Sequence, residues 1–168
     1  MKAVPRFQKA VNKIALRHEV DLAQPCAYLR LYLDGHGQLV LQSAGCRRLS
    51  VTNYVPVADS FVADPQVILF MVENDQQGLP EPEAEWIPLE MNELFGGWRL
   101  AAEIDAVSHL PRPVDVCLQA ELACYCEKIL AVHLDSHGWC ALSERVDVAH
   151  GLDDLGRTPL PARSTQWV

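Results

Sequence analysis

The sequence predicts an α+β fold: an antiparallel sheet of five or six strands with an N-terminal and a longer C-terminal helix packed on one face. Three observations support this. Apolar residues repeat with a helical period near both ends, they alternate with period two through the middle, and no connection between the first four alternating segments is long enough to hold a crossover helix. Each helix has one apolar stripe, so both helices should cover the sheet.

The first helix is predicted near residues 5 to 20. Phe7, Val11 and Ile14 recur at spacings of four and three, with basic side chains on the opposite side. Pro5 can start the helix, because proline is well tolerated at the first helical position. The stretch carries too many lysines and arginines for the apolar core of a signal peptide, so we expect no export by that route.

Six alternating segments predict the strands. Two of them flank the turn sequence DGHG and predict a hairpin. The stretch ADSFVAD, in which Asp64 precedes Pro65, is predicted as the turn between the third and fourth strands. Pro88 suggests that the fifth strand lies at an edge, because proline cannot donate a hydrogen bond to a neighbouring strand. The predicted strands span residues 26–33, 38–43, 46–57, 65–73, 86–94 and 98–105.

The second helix is predicted within residues 111–138, a stretch that begins with prolines and ends at Gly138. An alternative stays open. The sequences LDGHGQLVL (33–41) and LDSHGWCAL (134–142) share a pattern, so the second copy could form another hairpin instead. We favour the helix, because a core-facing stripe repeats at helical spacing: Leu118, Leu122, Tyr125, Ile129 and Val132.

Length and composition predict one domain over residues 1–150 and an irregular tail over 151–168.

The net charge of −8 argues against nucleic acid as a partner, because affinity for nucleic acid rests on lysine and arginine. The longest apolar run, VILFMV, is far too short to cross a bilayer, so we expect no membrane association. Six cysteines without a secretion signal predict reduced thiols and a cytoplasmic location.

The stretch CYCEKILAVHLDSHGWC, residues 124–140, contains the candidate metal ligands. On a helix, two of its histidines lie one turn apart and one cysteine lies two turns earlier, which is compatible with ligation. The single residue inside CYC departs from the paired spacing that is typical of zinc sites. We therefore predict no metal and no cofactor, and interpret these side chains as packing and turn residues. The candidates are Cys126, His133, His137 and Cys140.

Common catalytic motifs are absent from the sequence. It has no G-x-x-x-x-G-K phosphate loop, no G-x-G-x-x-G after a strand and no G-x-S-x-G elbow. No residue is therefore predicted to be catalytic. A thiol nucleophile assembled from distant parts of the chain stays open.

An acidic segment begins at the loop between the fourth and fifth predicted strands and continues into the fifth. Residues 73–93 carry seven acidic side chains and no lysine or arginine. One interpretation is a solvated loop, and the other is a docking surface for a basic partner, flanked by tryptophans of the kind that form interface hot spots. For both tryptophans the alternative is core packing. The candidate binding residues are Glu81, Glu83, Glu85, Trp86, Trp98 and Tyr54.

Part of the chain resembles a known family. Residues 49–73, LSVTNYVPVADSFVADPQVILFMVE, and 86–104, WIPLEMNELFGGWRLAAEI, are similar to an uncharacterised family of small bacterial domains encoded largely on plasmids and other mobile elements. Asn53 stands where that pattern has histidine, and the acidic loop is longer. The resemblance implies an α+β fold and a mobile-element origin, and it implies no activity. It is carried by Ser50, Val51, Tyr54, Asp64, Pro65, Phe70, Trp86 and Pro88.

Two functions of different classes follow. The first is a small non-enzymatic accessory protein of a bacterial mobile element that binds another protein, as a regulator or an inhibitor of host defence would. The second is a zinc- or thiol-dependent enzyme centred on Cys124–Cys140. We favour the first, because no cysteine is singled out as a nucleophile and the acidic edge offers a surface for a basic partner. The oligomeric state is left open.

Overall fold

A computed structural model describes residues 1–72 and 85–146, and it has the α+β architecture that the sequence predicts. Among these residues, four helices, where two were predicted, and nine strands follow one another, with a π-helical turn between α2 and α3. In chain order they are α1 (Pro5–Arg17), β1 (Tyr28–Leu33), β2 (Gly37–Ser43), β3 (Arg48–Val57), β4 (Ser60–Val72), β5 (Glu85–Glu93), β6 (Gly97–Leu100), β7 (Ala102–Ile104), β8 (Pro111–Pro113), α2 (Val116–Tyr125), the π-helical turn (Cys126–Leu130), α3 (Ala131–Ser136), α4 (Trp139–Leu142) and β9 (Glu144–Arg145).

Helix α1 begins at Pro5, as predicted, and ends at Arg17, a few residues before the predicted end. Its stripe of Phe7, Val11 and Ile14 is buried. The backbone N–H of Val4 donates a hydrogen bond to the carbonyl of Trp86 at 3.0 Å, so the start of the helix is tied to β5. The amphipathic pattern and the proline together account for this helix.

The main sheet has seven antiparallel strands in the order β6-β5-β4-β3-β2-β1-β9, so the prediction of five or six strands is too low. One short strand explains the difference. The two-residue strand β9 pairs with β1 at Leu31 and Tyr32, and it is too short to show an alternating pattern. The predicted segment 98–105 breaks into β6, at the edge of this sheet, and β7, which pairs with β8 in a separate two-stranded sheet.

The turn between β3 and β4 is tighter than predicted. Val57 pairs with Ser60 and only Ala58 and Asp59 lie between the two strands, so Asp64 and Pro65 lie inside β4. Alanine at position 58 has φ +52°, a left-handed conformation that such a two-residue turn requires. The step from Asp64 to Pro65 is a cis peptide bond.

Pro88 lies in an interior strand of the sheet order, between β4 and β6, so the prediction of an edge strand is wrong for β5 as a whole. Strand β6 pairs only with the second half of β5, from Glu90 to Glu93. On that side Pro88 therefore pairs with no strand among the described residues. A register shift also falls here, because Leu69 pairs with Pro88 whereas Ile68 pairs with Glu90.

The described residues form two hydrophobic cores. The larger core joins apolar residues of α1, the C-terminal helices and the strands β1 to β5, and Trp139 is its largest fully buried side chain. The smaller core contains Phe70, Leu89 and Ala102, so β7 helps to cover it. Successive residues of a strand point to opposite faces, and Leu69 and Phe70 accordingly belong to different cores.

The C-terminal segment is helical through Ser136, so the hairpin alternative for residues 134–142 is wrong. The carboxylate of Asp115 caps the start of α2 by accepting hydrogen bonds from the N–H groups of Cys117 and Leu118 at 2.8 and 3.0 Å. Gly138 follows α3 with φ +83°, as expected for a residue that ends a helix.

The π-helical turn changes which residues of this helix are buried. At its end the N–H of Ala131 donates to the carbonyl of Cys126, five residues earlier. The turn thus contains one residue more than a regular α-helical turn and shifts the buried face by one position. The predicted stripe is therefore wrong beyond Tyr125: Ile129 is 54% exposed, whereas Leu130 and Leu134 are buried.

Among the described residues, none of the helices has both the length and the apolar character needed to cross a lipid bilayer. The tail at 151–168 lies outside the described residues, as does most of the acidic segment.

Candidate functional site

A cavity of about 350 Å³ lies between the C-terminal helix, the turn of the β5–β6 hairpin and the strands β3 and β4. We call it the helix–hairpin cleft. Its size is at the lower end of the range for ligand pockets. Its polar wall consists of Asn53, Asp64, Glu93, Tyr125 and His133.

Local irregularity in β3 and β4 positions the first two polar residues. The register shifts between Thr52 and Tyr54, which leaves Asn53 without a partner in the β3–β4 pairing. The side-chain amide of Asn53 donates to the carbonyl of Asp64 at 3.0 Å, and the Asp64 carboxylate accepts a bond from the N–H of Leu94 at 3.2 Å. The hairpin turn is thereby fastened to β4 beside the cleft.

The wall of the cleft has an acidic character. Glu93 forms an ion pair with Arg99, whereas no described residue forms an ion pair with Asp64. Burial raises the pKa of the Tyr125 phenol, and the negative charges of Glu93 and Asp64 raise it further. The Oδ1 of Asn53 is buried and accepts no hydrogen bond from the described residues. Hydrogen-bond acceptors thus predominate in this wall.

Apolar side chains form the rim and the floor. Phe95 is 96% exposed and Ile129 is about half exposed, and both line the cleft, so it opens to solvent between them. The floor includes Phe7 and Leu130, which are buried. Ile129 reaches this rim because the π-helical turn rotates it out of the core, and such turns are frequent at functional sites.

Next to the cleft, the β5–β6 hairpin exposes Leu94, Phe95 and Trp98, which we call the hairpin surface. Trp98 is 61% exposed, and its Nε1 donates to a carboxylate oxygen of Glu90 at 2.7 Å. Gly97 adopts φ +68° and allows the turn that presents these side chains. Large exposed aromatic groups beside a cavity at the edge of a sheet are typical of an interaction surface.

The predicted binding residues have different positions in the structure. Trp98 belongs to the hairpin surface, and Glu85 is exposed at the start of β5. Trp86 is 3% exposed and packs in the larger core, so the interpretation as a core residue, and not as a binding residue, is correct for it. Tyr54 is half-buried in β3 and does not line the cleft. Glu81 and Glu83 lie outside the described residues.

The candidate metal ligands do not form one site. Within residues 1–72 and 85–146, no group of three or more His, Cys, Asp or Glu side chains is arranged to hold a metal ion. Cys126 is buried, and burial, together with the nearby Glu127, raises the pKa of its thiol to about 12. The Sγ of Cys140 lies 3.8 Å from the carbonyl of Lys13, to which it donates. Because its pKa is so high, the Cys126 thiol is protonated at neutral pH and is a poor nucleophile.

Three histidines come together, and sequence reasoning identified only two of them as a pair. The ring centroids of His133 and His137 are 4.3 Å apart, and that of His36, in the β1–β2 turn, lies 4.5 Å from His137 and 6.3 Å from His133. Trp139 donates through Nε1 to His133 Nε2 at 3.4 Å. The shared LD-x-HG pattern of the two segments was the available signal, although one copy is a hairpin turn and the other a helix end.

This histidine cluster should make stability depend on pH. Burial lowers the pKa of His133 below 6.5, and the neighbouring His137 and His36 lower it further. As the pH falls below 6.5, the unfolded chain takes up a proton that the folded chain does not bind, so stability decreases until the pH passes the folded-state pKa. We expect His133→Gln to lose less stability than the wild type between pH 7.5 and 5.5 in urea unfolding. Equal losses in both proteins would contradict this.

Comparisons of the chain with protein-family models, with curated proteins and with solved structures find no match. The resemblance to the mobile-element family therefore stays a prediction. Sequence reasoning missed Asp64, Glu93, Phe95 and Tyr125 as residues of one site. Of these, Phe95 carried a local signal, because the sequence places this aromatic residue directly before the turn residues Gly96 and Gly97.

Proposed function

We propose that this chain is a small, cytoplasmic, non-enzymatic accessory protein of a bacterial mobile element, and that it binds a basic segment of a partner protein through the hairpin surface and the helix–hairpin cleft. The single observation that carries the proposal is the exposure of Phe95 and Trp98 beside a cavity at the sheet edge. Exposing two large aromatic side chains to water is unfavourable, and a partner that covers them removes this cost.

Charge supports a basic partner. Glu85, Glu90 and Glu93 lie on β5 and Asp64 lies in the cleft, whereas Arg99 is the one basic residue of β5 and β6. The whole chain has a net charge of −8. Such a field increases the association rate of a positively charged segment and disfavours acidic competitors. A regulator or an inhibitor of host defence would use a surface of this kind.

The second function, a zinc- or thiol-dependent enzyme centred on Cys124–Cys140, has less support. A thiol enzyme needs a nucleophile whose pKa is lowered, and the pKa of Cys126 is raised instead. Cys124 is exposed on α2, and the cleft is not lined by any cysteine among the described residues. The cleft therefore offers acceptors and apolar surface, which suit binding more than thiol chemistry.

Selection from a displayed library of random peptides tests the proposal. We expect the purified chain to enrich peptides that combine arginine or lysine with apolar residues, because the surface pairs aromatic groups with carboxylates. Binding of the enriched peptides should weaken with salt, since part of the attraction is between exposed charges. No enrichment, or enrichment of acidic peptides, would reject it.

A further inference from the structure

We infer that the helix–hairpin cleft receives an arginine side chain of the partner. This inference rests on the proposed function and names the group that occupies the cleft. Two properties of the cleft lead to it: carboxylates on one wall, and aromatic and aliphatic groups on the others. An arginine side chain has the same two parts, a charged planar end and an apolar stem.

The carboxylates provide sites for the guanidinium. Asp64 uses Oδ1 to accept a hydrogen bond from the N–H of Leu94, and among the described residues no cation forms an ion pair with it. A carboxylate has acceptor capacity for several hydrogen bonds, so Asp64 can bind a second donor group. Glu93 already pairs with the guanidinium of Arg99, which does not itself line the cleft, so Asp64 is the carboxylate that remains for a guanidinium of the partner.

The aromatic and aliphatic side chains that line the cleft suit the stem and the flat face of the group. Phe95 and Tyr125 line the cleft with aromatic rings, and a guanidinium stacks favourably on such rings. Ile129 and Leu130 offer aliphatic surface for the methylene groups. The half-buried position of Tyr125 lowers the local screening by water, so charge interactions here are stronger than at an open surface.

The negative potential favours a cation over a neutral group of the same shape. Asp64 and Glu93 both act on Tyr125, in the direction expected for a negative field inside the cleft. Arg99 compensates only one of these two carboxylates. A cationic side chain in the cleft would neutralise the charge of the other carboxylate, that of Asp64.

The test compares Nα-acetyl-arginine amide with Nα-acetyl-citrulline amide, which has nearly the same shape and no charge, by titration followed with NMR. We expect the arginine compound to bind at least about tenfold more tightly, equivalent to about 1.4 kcal/mol. Asp64→Asn keeps the acceptor for Leu94 and should reduce the preference. Asp59→Asn, which removes the same charge from an exposed turn, should preserve it. Equal binding of the two compounds to the wild type would overturn the inference.

The same compounds separate this inference from the proposed function. If selected peptides bind and their arginine-to-citrulline versions bind equally well, the hairpin surface docks a partner without an arginine in the cleft. If the arginine compound binds with the expected preference and no peptide is enriched, the cleft binds a guanidinium and the docking proposal fails.

Discussion

Replacing Trp139 with alanine is expected to lower the free energy of unfolding by about 3–5 kcal/mol, the usual cost of removing a large buried aromatic side chain. Trp139 is fully buried and is the largest such side chain among the described residues. It lies in α4, which contacts α1, α3 and β1, so the cavity left by alanine would open where four elements meet. Its Nε1 bond to His133 would also be lost.

Urea unfolding measures this effect, with two comparison variants. Trp139→Phe keeps most of the buried volume and should cost less than alanine. Leu142→Ala removes an apolar side chain from the same helix at a position that is mostly exposed, and its effect should stay within about 0.5 kcal/mol. If Trp139→Ala and Leu142→Ala have similar small effects, the packing described for the C-terminal helices is wrong.

The double replacement of Phe95 and Trp98 by alanine should weaken binding of a selected basic peptide by at least about 30-fold. A single hot spot contributes about 2 kcal/mol or more, and this energy corresponds to that factor. Both side chains are largely exposed, so their removal should change stability by no more than about 0.5 kcal/mol. Calorimetric titration with the peptide and urea unfolding of the same variant give both values.

Phe61→Ala is the matched control, because Phe61 is also an exposed aromatic residue but lies near the β3–β4 turn and not at the cleft. It should bind the peptide with the affinity of the wild type. A double variant with unchanged affinity would remove the hairpin surface from the proposal. An equal loss in Phe61→Ala would indicate that the peptide contacts exposed aromatic groups without selectivity.

Local pattern predicted the general α+β class and the start of α1, because these depend on neighbours in the sequence, but it misplaced the β3–β4 turn and merged β6 with β7. The burial of Phe7 follows from its position in a helical repeat, and the alternation in β1 follows from the pleat of a strand. The hydrophobic pattern gave wrong burial or pairing where one extra residue in a helix or strand shifted the periodicity of the residues that follow. Neither the π-helical turn at Cys126–Leu130 nor the shift at Asn53 leaves a mark in hydrophobic periodicity, and these two irregularities shape the cleft.

Contacts between distant segments could not be predicted from one sequence. Asp64, Glu93 and Tyr125 come from two strands and a helix, and no spacing rule relates them. His36 meets His137 for the same reason, across about a hundred residues of chain. Trp86 and Trp98 were equal candidates because aromatic residues suit both cores and interfaces, and only the fold separates them.

The most direct test of the central claim is NMR chemical-shift mapping of the ¹⁵N-labelled chain with a selected basic peptide. We expect the largest shifts in three segments that are separate in sequence and adjacent in the structure: residues 64–65, 93–98 and 125–134. Largest shifts confined to the β7–β8 sheet or to α1, with none in the β5–β6 hairpin, would contradict it.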